Sequence, residues 1–490
     1  MRGTGRRRSA AEGSPRRSED ATPHTRHGPS RRKSIYLRPG YAREGDVPLP
    51  VWQHILYSAE ITAEHYGRTV SVGGWVQDIR NLGGISFVQL RDRDGVVQVT
   101  AVKKRNPELF AEINSLQRES VLLVRGTVKE SKEARAGFEV LPEDVRVLSA
   151  AESPQPLGVV DKVGADLDTR LNNRFMDLRK ADIRAVFRIR AAALQGVRDY
   201  LLSESFIEVS TPKIVAAGAE GGATLFPIKY FDKSAYLAQS PQLYKQNLMA
   251  SGLDRVYEIA PAYRAEASDT VRHIAEFTSL DVELAFIESS EDVMAVAEGI
   301  VDSSLRHLLT AAKADLDLLG VDLSVPEPPY PRIRYDDAID LLASDGMKIA
   351  HGDDLGTEGE KRLGDIVMEK HGALLYFITE FPTSLKRGTF YAKRYDEDPE
   401  RTGYFDLDYK GQEIVSGGQR EHRYDVLVEQ MRENGLDLEA FDFYLKAFRY
   451  GMPPHGGFGF GIERYVQKIL DLPNIRETVL YPRDRVRLVP

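Results

Sequence analysis

The stretch RAEASDTVRHIAEFTSLDVE, from Arg264 to Glu283, decides how the rest of the chain is read. It is entered from RVYEIAPAY and continues into FTSLDVELAF, two runs with strand character on either side of a polar loop, which predicts an antiparallel hairpin. Arg264 and Glu266 are two apart on an extended chain and so face one side. Beyond the ASDT loop come Arg272, His273, Glu276 and Phe277. Guanidinium groups suit bidentate contact with phosphate, and an aromatic ring suits packing on a flat base. On composition alone, a surface hairpin laced with ion pairs is the simpler reading.

On the N-terminal side, Ile183, Val186, Phe187, Leu194, Val197 and Leu201 recur at spacings near three, four and seven, the signature of a helix with one apolar face. No strand-helix alternation opens on a glycine-rich first turn, so a doubly wound parallel sheet is disfavoured. The large C-terminal part therefore reads as α+β with an antiparallel sheet flanked by helices. Near its end GGFGFGIER, 456–464, is rich in glycine but lacks the Lys-Ser/Thr of a phosphate loop and the acid of a dinucleotide fingerprint.

Earlier still, residues 68–150 form short alternating runs: RTVSVGGWVQDIR, GGISFVQLRDRDGVVQVTAVKK, SVLLVRGTVKES and GFEVLPEDVRVL. Asp94-Gly95 marks a hairpin between Phe87–Leu90 and Val96–Val99. About five short strands in this span suggest a small five-stranded barrel of the OB type, a scaffold able to hold single-stranded nucleic acid. The expected organisation is a basic tail over 1–50, the barrel over 51–150, a Pro-, Gly- and Asp-rich hinge over 151–175, and the large α+β domain over 176–490.

At 490 residues the chain exceeds what one core serves. It has no cysteine, which excludes disulfides, thiolate zinc sites, iron-sulfur clusters and a catalytic thiol, and leaves oxygen or imidazole ligands for any metal. No apolar run approaches the ~18 to 20 residues of a membrane span, and no apolar leader stands out, so a soluble cytoplasmic protein is expected. Residues 1–33 carry ten Lys and Arg against three acids, so with a net charge of -8 the body is strongly acidic. Contact with a polyanion must then rely on local basic patches and shaped pockets. The tail itself is too poor in apolar residues to order; it reads as an RNA-catching arm, a solvated tail or a mis-assigned start.

Taken together, three segments resemble the class II aminoacyl-tRNA synthetases, with the archaeal and eukaryotic aspartyl type the nearest pattern, from about Ile61 to Pro490. The Arg264-x-Glu266 hairpin is similar to motif 2; the amphipathic helix running into FIEVSTPKIV, with Pro212, to motif 1; and GMPPHGGFGFGIERYVQKIL, with Arg464, to motif 3. The resemblance implies a homodimer joined through motif 1. It also implies a magnesium-dependent activation of L-aspartate by ATP, followed by transfer to the terminal adenosine of tRNA. In that reading Arg264 holds the α-phosphate and Arg464 the γ-phosphate, Phe277 stacks on adenine, Glu266 contacts the nucleotide or the tRNA acceptor end, Arg272 and His273 attend the nucleotide, and Asp406, Glu413 and Ser416 hold Mg²⁺. Lys245 and Arg420 would grip the aspartate side chain, with Gln242, Asp281 and Ser416 beside them. On the barrel, Arg80 would meet backbone phosphate while Phe87 and Gln98 meet anticodon bases; Gln77 stands where relatives often carry a ring. AEGGATLFP, 219–227, is similar to the loop that closes over aspartate, although Ala223-Thr224 departs from the usual pattern. Two cations around one carboxylate favour aspartate over asparagine, because a buried charge without its partner costs on the order of 2 to 5 kcal/mol. An asparaginyl enzyme and a non-catalytic RNA-binding relative are the alternatives.

Overall fold

The computed structural model describes residues 55–160, 164–216, 218, 225–265 and 270–490. The chain divides into two compact units between Ala151 and Glu152.

The first unit is a closed barrel of β1 (Thr69–Asn81), β2 (Ile85–Arg91), β3 (Val96–Val102), β4 (Val121–Glu130) and β5 (Phe138–Ser149), ordered β1-β2-β3-β5-β4. Alternation drives it: Val70, Val72 and Val76 of β1, Val88 and Leu90 of β2, and Val97 and Val99 of β3 turn inward to one core. Gly74 lets β1 cross close to β2, since a Cβ there would lie 2.2 Å from the Arg91 carbonyl oxygen. The β2–β3 connection is a four-residue turn rather than a bare Asp94-Gly95 pair. The Asp92 carboxylate accepts from the amides of Asp94 and Gly95 at 2.8 and 2.7 Å and organises it.

Between the units' sequence boundary and the long helix, the segment expected to be a hinge contains helices at Leu167–Asn172 and Arg174–Asp177. Asp166 caps the first, its side chain accepting from Thr169 N at 2.9 Å. Arg174, wholly buried, donates to the carbonyls of Val479 and Leu480 and pairs with Asp177 at 2.8 Å. These long-range bonds order a stretch whose local composition favours loop.

The second unit carries the short strands β6 (Ile207–Glu208), β7 (Ile214–Val215), β8 (Pro227–Tyr230) and β9 (Lys233–Leu237), then β10 (Arg255–Tyr263), β11 (Glu276–Ala285), β12 (Arg332–Arg334), β13 (Leu375–Thr379), β14 (Tyr404–Tyr409), β15 (Glu413–Gln419) and β16 (His455–Gly461). Eight of them form one sheet in the order β12-β13-β14-β15-β16-β11-β10-β6, antiparallel except at its two outer pairs. The helix Ala181–Ser203 lays Val186, Ile189, Val197 and Leu201 on the core and crosses the helix Ser290–Ala311 at Gly196. A Cβ at Gly196 would lie 2.8 Å from Ser304 Cα, so only glycine permits that crossing.

One face of the sheet packs on these helices through Leu280, Val282, Phe405, Leu407, Val415, Phe458 and Phe460. The glycine-rich run of β16 thereby explains itself: Phe458 and Phe460 point to the core, and Gly457, Gly459 and Gly461 alternate onto the opposite face, leaving room above it.

Candidate active site

Strand register assembles the site on that opposite face. Asp406 pairs with Ser416, Ser416 with Gly459 and Gly459 with Asp281, a row of neighbours across four strands. A second row runs Tyr404, Gly418, Gly457, Glu283. A Cβ on Gly457 would lie 2.2 Å from Glu283 Oε2, so the glycine makes space for that carboxylate. Above the rows lies a cleft of about 310 Å³ bordered by Gln242, Arg264, Arg272, Asp281, Glu413 and Arg464, among others.

At one end the charges are buried. Lys245, on the helix Gln242–Met249, sends Nζ to Asp281 Oδ1 at 3.0 Å, the Phe458 carbonyl at 2.9 Å and the Val282 carbonyl at 3.3 Å, with Glu283 Oε2 at 3.4 Å. Arg420 approaches the same Glu283, Nε to Oε1 at 3.1 Å, and donates to the Tyr404 hydroxyl at 2.8 Å. Burial alone would push the Glu283 carboxyl up; Arg420, then Lys245, outweigh it and hold it below the usual range. His455 is pulled down to about 4 by burial and stays neutral. Its Nδ1 stands 2.9 Å from the Pro453 carbonyl and its Nε2 3.0 Å from Gln246 Nε2, so the tautomer with Nδ1–H satisfies both partners. Gln242 donates to Gln246 Oε1 at 3.0 Å, and Ser279 donates to Asp281 Oδ2 at 2.6 Å, which sets the Asp281 carboxylate at the cleft wall.

The other end is more open. Strand β10 stops at Tyr263, so Arg264 stands just past it, held by its amide to the Ala275 carbonyl at 2.9 Å; Glu266 lies outside the described residues. The Arg264 guanidinium lies 5.3 Å from the centre of the Phe277 ring. Arg272 pairs with Glu360 at 3.0 Å, Arg464 with Glu413 at 3.2 Å, and His273 Nδ1 is 2.7 Å from the Thr270 hydroxyl. Glu463, next to Arg464, accepts from Arg190 at 2.9 Å and from the Thr278 amide at 3.0 Å, which ties the long helix to the cleft.

The oxygen donors Asp406, Glu413 and Ser416 meet beside this end, Ser416 donating to Asp406 at 2.5 Å. Burial and the neighbouring Glu413 push the Asp406 carboxyl up against the pull of Lys386. Asp406 is paired with Lys386 at 2.9 Å and Glu413 with Arg464 at 3.2 Å, and the hard oxygens of the three residues are of the kind Mg²⁺ takes. Asp408, beneath them, is pushed well up by burial and by Glu360 and accepts from Tyr376 at 3.1 Å.

On the barrel, Arg80 is exposed at the end of β1 and registers with Phe87, which lines a hollow with Thr100 and Lys129. Gln98 accepts from Gln89 at 3.2 Å and donates to Glu139 at 3.3 Å, and with Gln77 it borders a second hollow. The loop 219–224, with Ala223-Thr224, and the tail lie outside the described residues.

The structure thus brings Arg264, Arg272, His273, Phe277, Glu413, Ser416, Gln242, Asp281 and Arg464 to one cleft, with Asp406 at its flank and Lys245 and Arg420 behind its wall rather than on it. Sequence reasoning missed Lys386, Tyr404 and Glu360. Lys386 sits in an irregular segment with no periodicity, and Glu360 on a helix, Gly356–His371, that reads as a polar surface helix.

Residues 166–485 match the family model of class II tRNA synthetases (D, K and N), and residues 70–148 match the OB-fold nucleic acid binding domain. The chain belongs to the class II tRNA synthetases. It is 53% identical over 435 residues to the aspartate–tRNA(Asp) ligase of Thermococcus kodakarensis, covering 89% of this chain and 99% of the relative. It is 48% identical over 435 residues to the aspartate–tRNA(Asp/Asn) ligase of Methanothermobacter thermautotrophicus, at 89% and 98% coverage. Among solved structures, the asparaginyl-tRNA synthetase of Pyrococcus horikoshii with asparaginyl-adenylate superposes with a TM-score of 0.83 at 36% identity, covering 89% and 99%.

Proposed function

We propose that this chain is an aspartate–tRNA ligase: it activates L-aspartate with ATP and passes the aspartyl group to the 3'-terminal adenosine of tRNA. The observation that carries the reading is the convergence of Lys245 and Arg420 on Glu283, behind the wall of a cleft whose far end holds Arg264, Arg272 and Arg464. Both cations are almost wholly buried and paired with Asp281 and Glu283, so a carboxylate side chain entering beside them would have to share positive partners that are already fixed in place. A neutral amide offers them less, which separates aspartate from asparagine by the energy of a buried charge.

In the first step an α-carboxylate oxygen of aspartate attacks the α-phosphorus, and the bond to the bridging oxygen breaks so that pyrophosphate leaves with the electron pair. In the second, a hydroxyl of the terminal adenosine attacks the acyl carbon and AMP leaves. The protein's work is alignment and charge compensation. Arg264 and Arg464 hold phosphate oxygens, Phe277 offers its face to the base, and Asp281 and Gln242 receive the substrate ammonium. Asp406, Glu413 and Ser416 would hold Mg²⁺, which supplies charge neutralisation at the phosphates when bound.

The barrel would present Arg80, Phe87 and Gln98 to the anticodon. A homodimer is part of the proposal, supported by exposed apolar residues at and after the end of the long helix, Leu202, Ile207 and Ile214. A cytoplasmic setting belongs to it as well. Among the described residues no helix is long and apolar enough to cross a membrane.

Pyrophosphate exchange tests the reading: it is expected with aspartate and not with asparagine. Exchange with asparagine alone would transfer the assignment to the asparaginyl enzyme, whose fold is shared. Charging of transcripts bearing the two anticodons then reads whether tRNA(Asn) is also a substrate, as the name of the Methanothermobacter relative states for that protein.

A further inference from the structure

Between the buried end and the open end of the cleft stands a cation that belongs to neither. Lys386 lies in the irregular segment linking β13 and β14, where its backbone is pinned: its carbonyl accepts from the Thr389 amide at 2.9 Å and from the Thr389 hydroxyl at 2.5 Å. Its Nζ donates to Asp406 at 2.9 and 3.2 Å. The ammonium also rests 4.0 Å from the centre of the Phe381 ring and 5.3 Å from that of Tyr404. The Tyr404 hydroxyl in turn accepts from Arg420, so Lys386 is one aromatic ring removed from the buried end. Toward the open end, the same lysine borders the hollow that holds Asp406, Asp408, Glu360 and Glu413. It also lines the main cleft with Ser416, Arg264 and Arg464.

Two features separate it from an ordinary structural lysine. The side chain is only 17% exposed, so its position is set by packing and not by solvent. An ammonium has three N–H donors, and among the described residues Asp406 engages at most two. A donor fixed by packing thus faces the place where substrate at the buried end must meet phosphate at the open end.

We propose that Lys386 is a further catalytic residue of the activation step, its ammonium meeting the oxygens at the junction of the amino-acid carboxylate and the α-phosphate. The inference rests on the ligase reading above and deepens it. As the carboxylate oxygen bonds to phosphorus and the bond to pyrophosphate breaks, negative charge concentrates on the non-bridging oxygens, and a preorganised cation there stabilises the transition state more than the ground state. Lys386 keeps its proton throughout, and no group on the protein is bonded to the substrate. The phenyl faces of Phe381 and Tyr404 hold the ammonium in place without competing for its donors.

The test is aspartate-dependent pyrophosphate exchange by wild type, Lys386→Met and Lys386→Arg, with thermal unfolding of each. The expected result is a fall in kcat of roughly 100-fold or more in the methionine variant, with KM for aspartate and ATP moving by less than about 5-fold, the melting temperature close to wild type, and partial rescue by arginine. A methionine variant that exchanges within about 3-fold of wild type overturns the proposal, as does one that loses only thermal stability. Should the methionine protein not fold, Lys386→Gln carries the same comparison. Failure of the ligase reading is seen separately in the wild type: exchange with asparagine alone would displace aspartate while leaving Lys386 to be judged with the amide substrate, which presents the same reacting carboxylate. Exchange with neither would sink both.

Discussion

At the buried end of the cleft, the side chains of Lys245, Arg420, Asp281 and Glu283 are each at most 4% exposed and neutralise one another; at the open end, Arg464 and Glu413 are 26% and 36% exposed and meet through one guanidinium nitrogen, 3.2 Å from the carboxylate and 3.3 Å from the backbone carbonyl. The difference has an energetic meaning. Charges taken fully out of water must keep their partners, so the first end is rigid and its geometry is part of the fold. Charges left half in water are held weakly by one another, and phosphate can exchange for a carboxylate partner at small cost. On the proposed function, selection among amino acids would thus be built into the core, while the grip on ATP would assemble when ATP arrives.

Glu283→Gln probes the contrast most severely. It leaves two cations buried around a neutral amide, and the unfolding free energy measured in urea is expected to fall by about 3 to 5 kcal/mol, with aspartate-dependent exchange lost. A loss under about 1 kcal/mol would mean that the buried end is no more committed than the open one.

Next in size are the pH slopes, which run in opposite directions. Glu360 is pushed up to about 7 from its ordinary 4.5 by burial and by Glu413. The folded protein therefore binds a proton there that the unfolded chain releases, and stability present at low pH is lost as pH rises from 4.5 toward 7. His455 is pulled down to about 4 from 6.5, so the unfolded chain binds the extra proton and stability is lost as pH falls from 6.5 toward 4. Comparing urea unfolding at pH 5 and pH 7, Glu360→Gln should remove a fall of roughly 1 to 2 kcal/mol and His455→Gln a rise of similar size. Matching slopes in both variants and wild type would show that the two ends do not differ in this way.

Smallest is Glu413→Gln, expected to change unfolding free energy by less than about 1 kcal/mol while raising the Mg²⁺ concentration needed for half-maximal exchange. A large stability loss with unchanged metal requirement would place Glu413 among the structural charges.

How much of this could be read beforehand differs from segment to segment. The barrel strands and the helix Ala181–Ser203 were visible because alternation and helical spacing are written within a few residues of one another. The three motif segments, through their resemblance to class II synthetases, pointed to the family and to most of the cleft. The helices of the supposed hinge were not visible, since Arg174 reaches its partners at Val479 and Leu480 through tertiary contact. The order of the turn at Asp92 and the end of β10 at Tyr263 were likewise matters of hydrogen bonding and not of composition.

From the residues alone came an acidic, cysteine-free chain with a barrel followed by an α+β domain, and a resemblance that names its chemistry. Only the folded sheet decided that Glu283 sits between Lys245 and Arg420, that glycines at 457 and 459 clear its face, and that Lys386 and Glu360 belong to the site. The reason is range: periodicity records which face of a local element is apolar, whereas the meeting of charges from distant segments depends on strand register and burial, which no short window of sequence encodes.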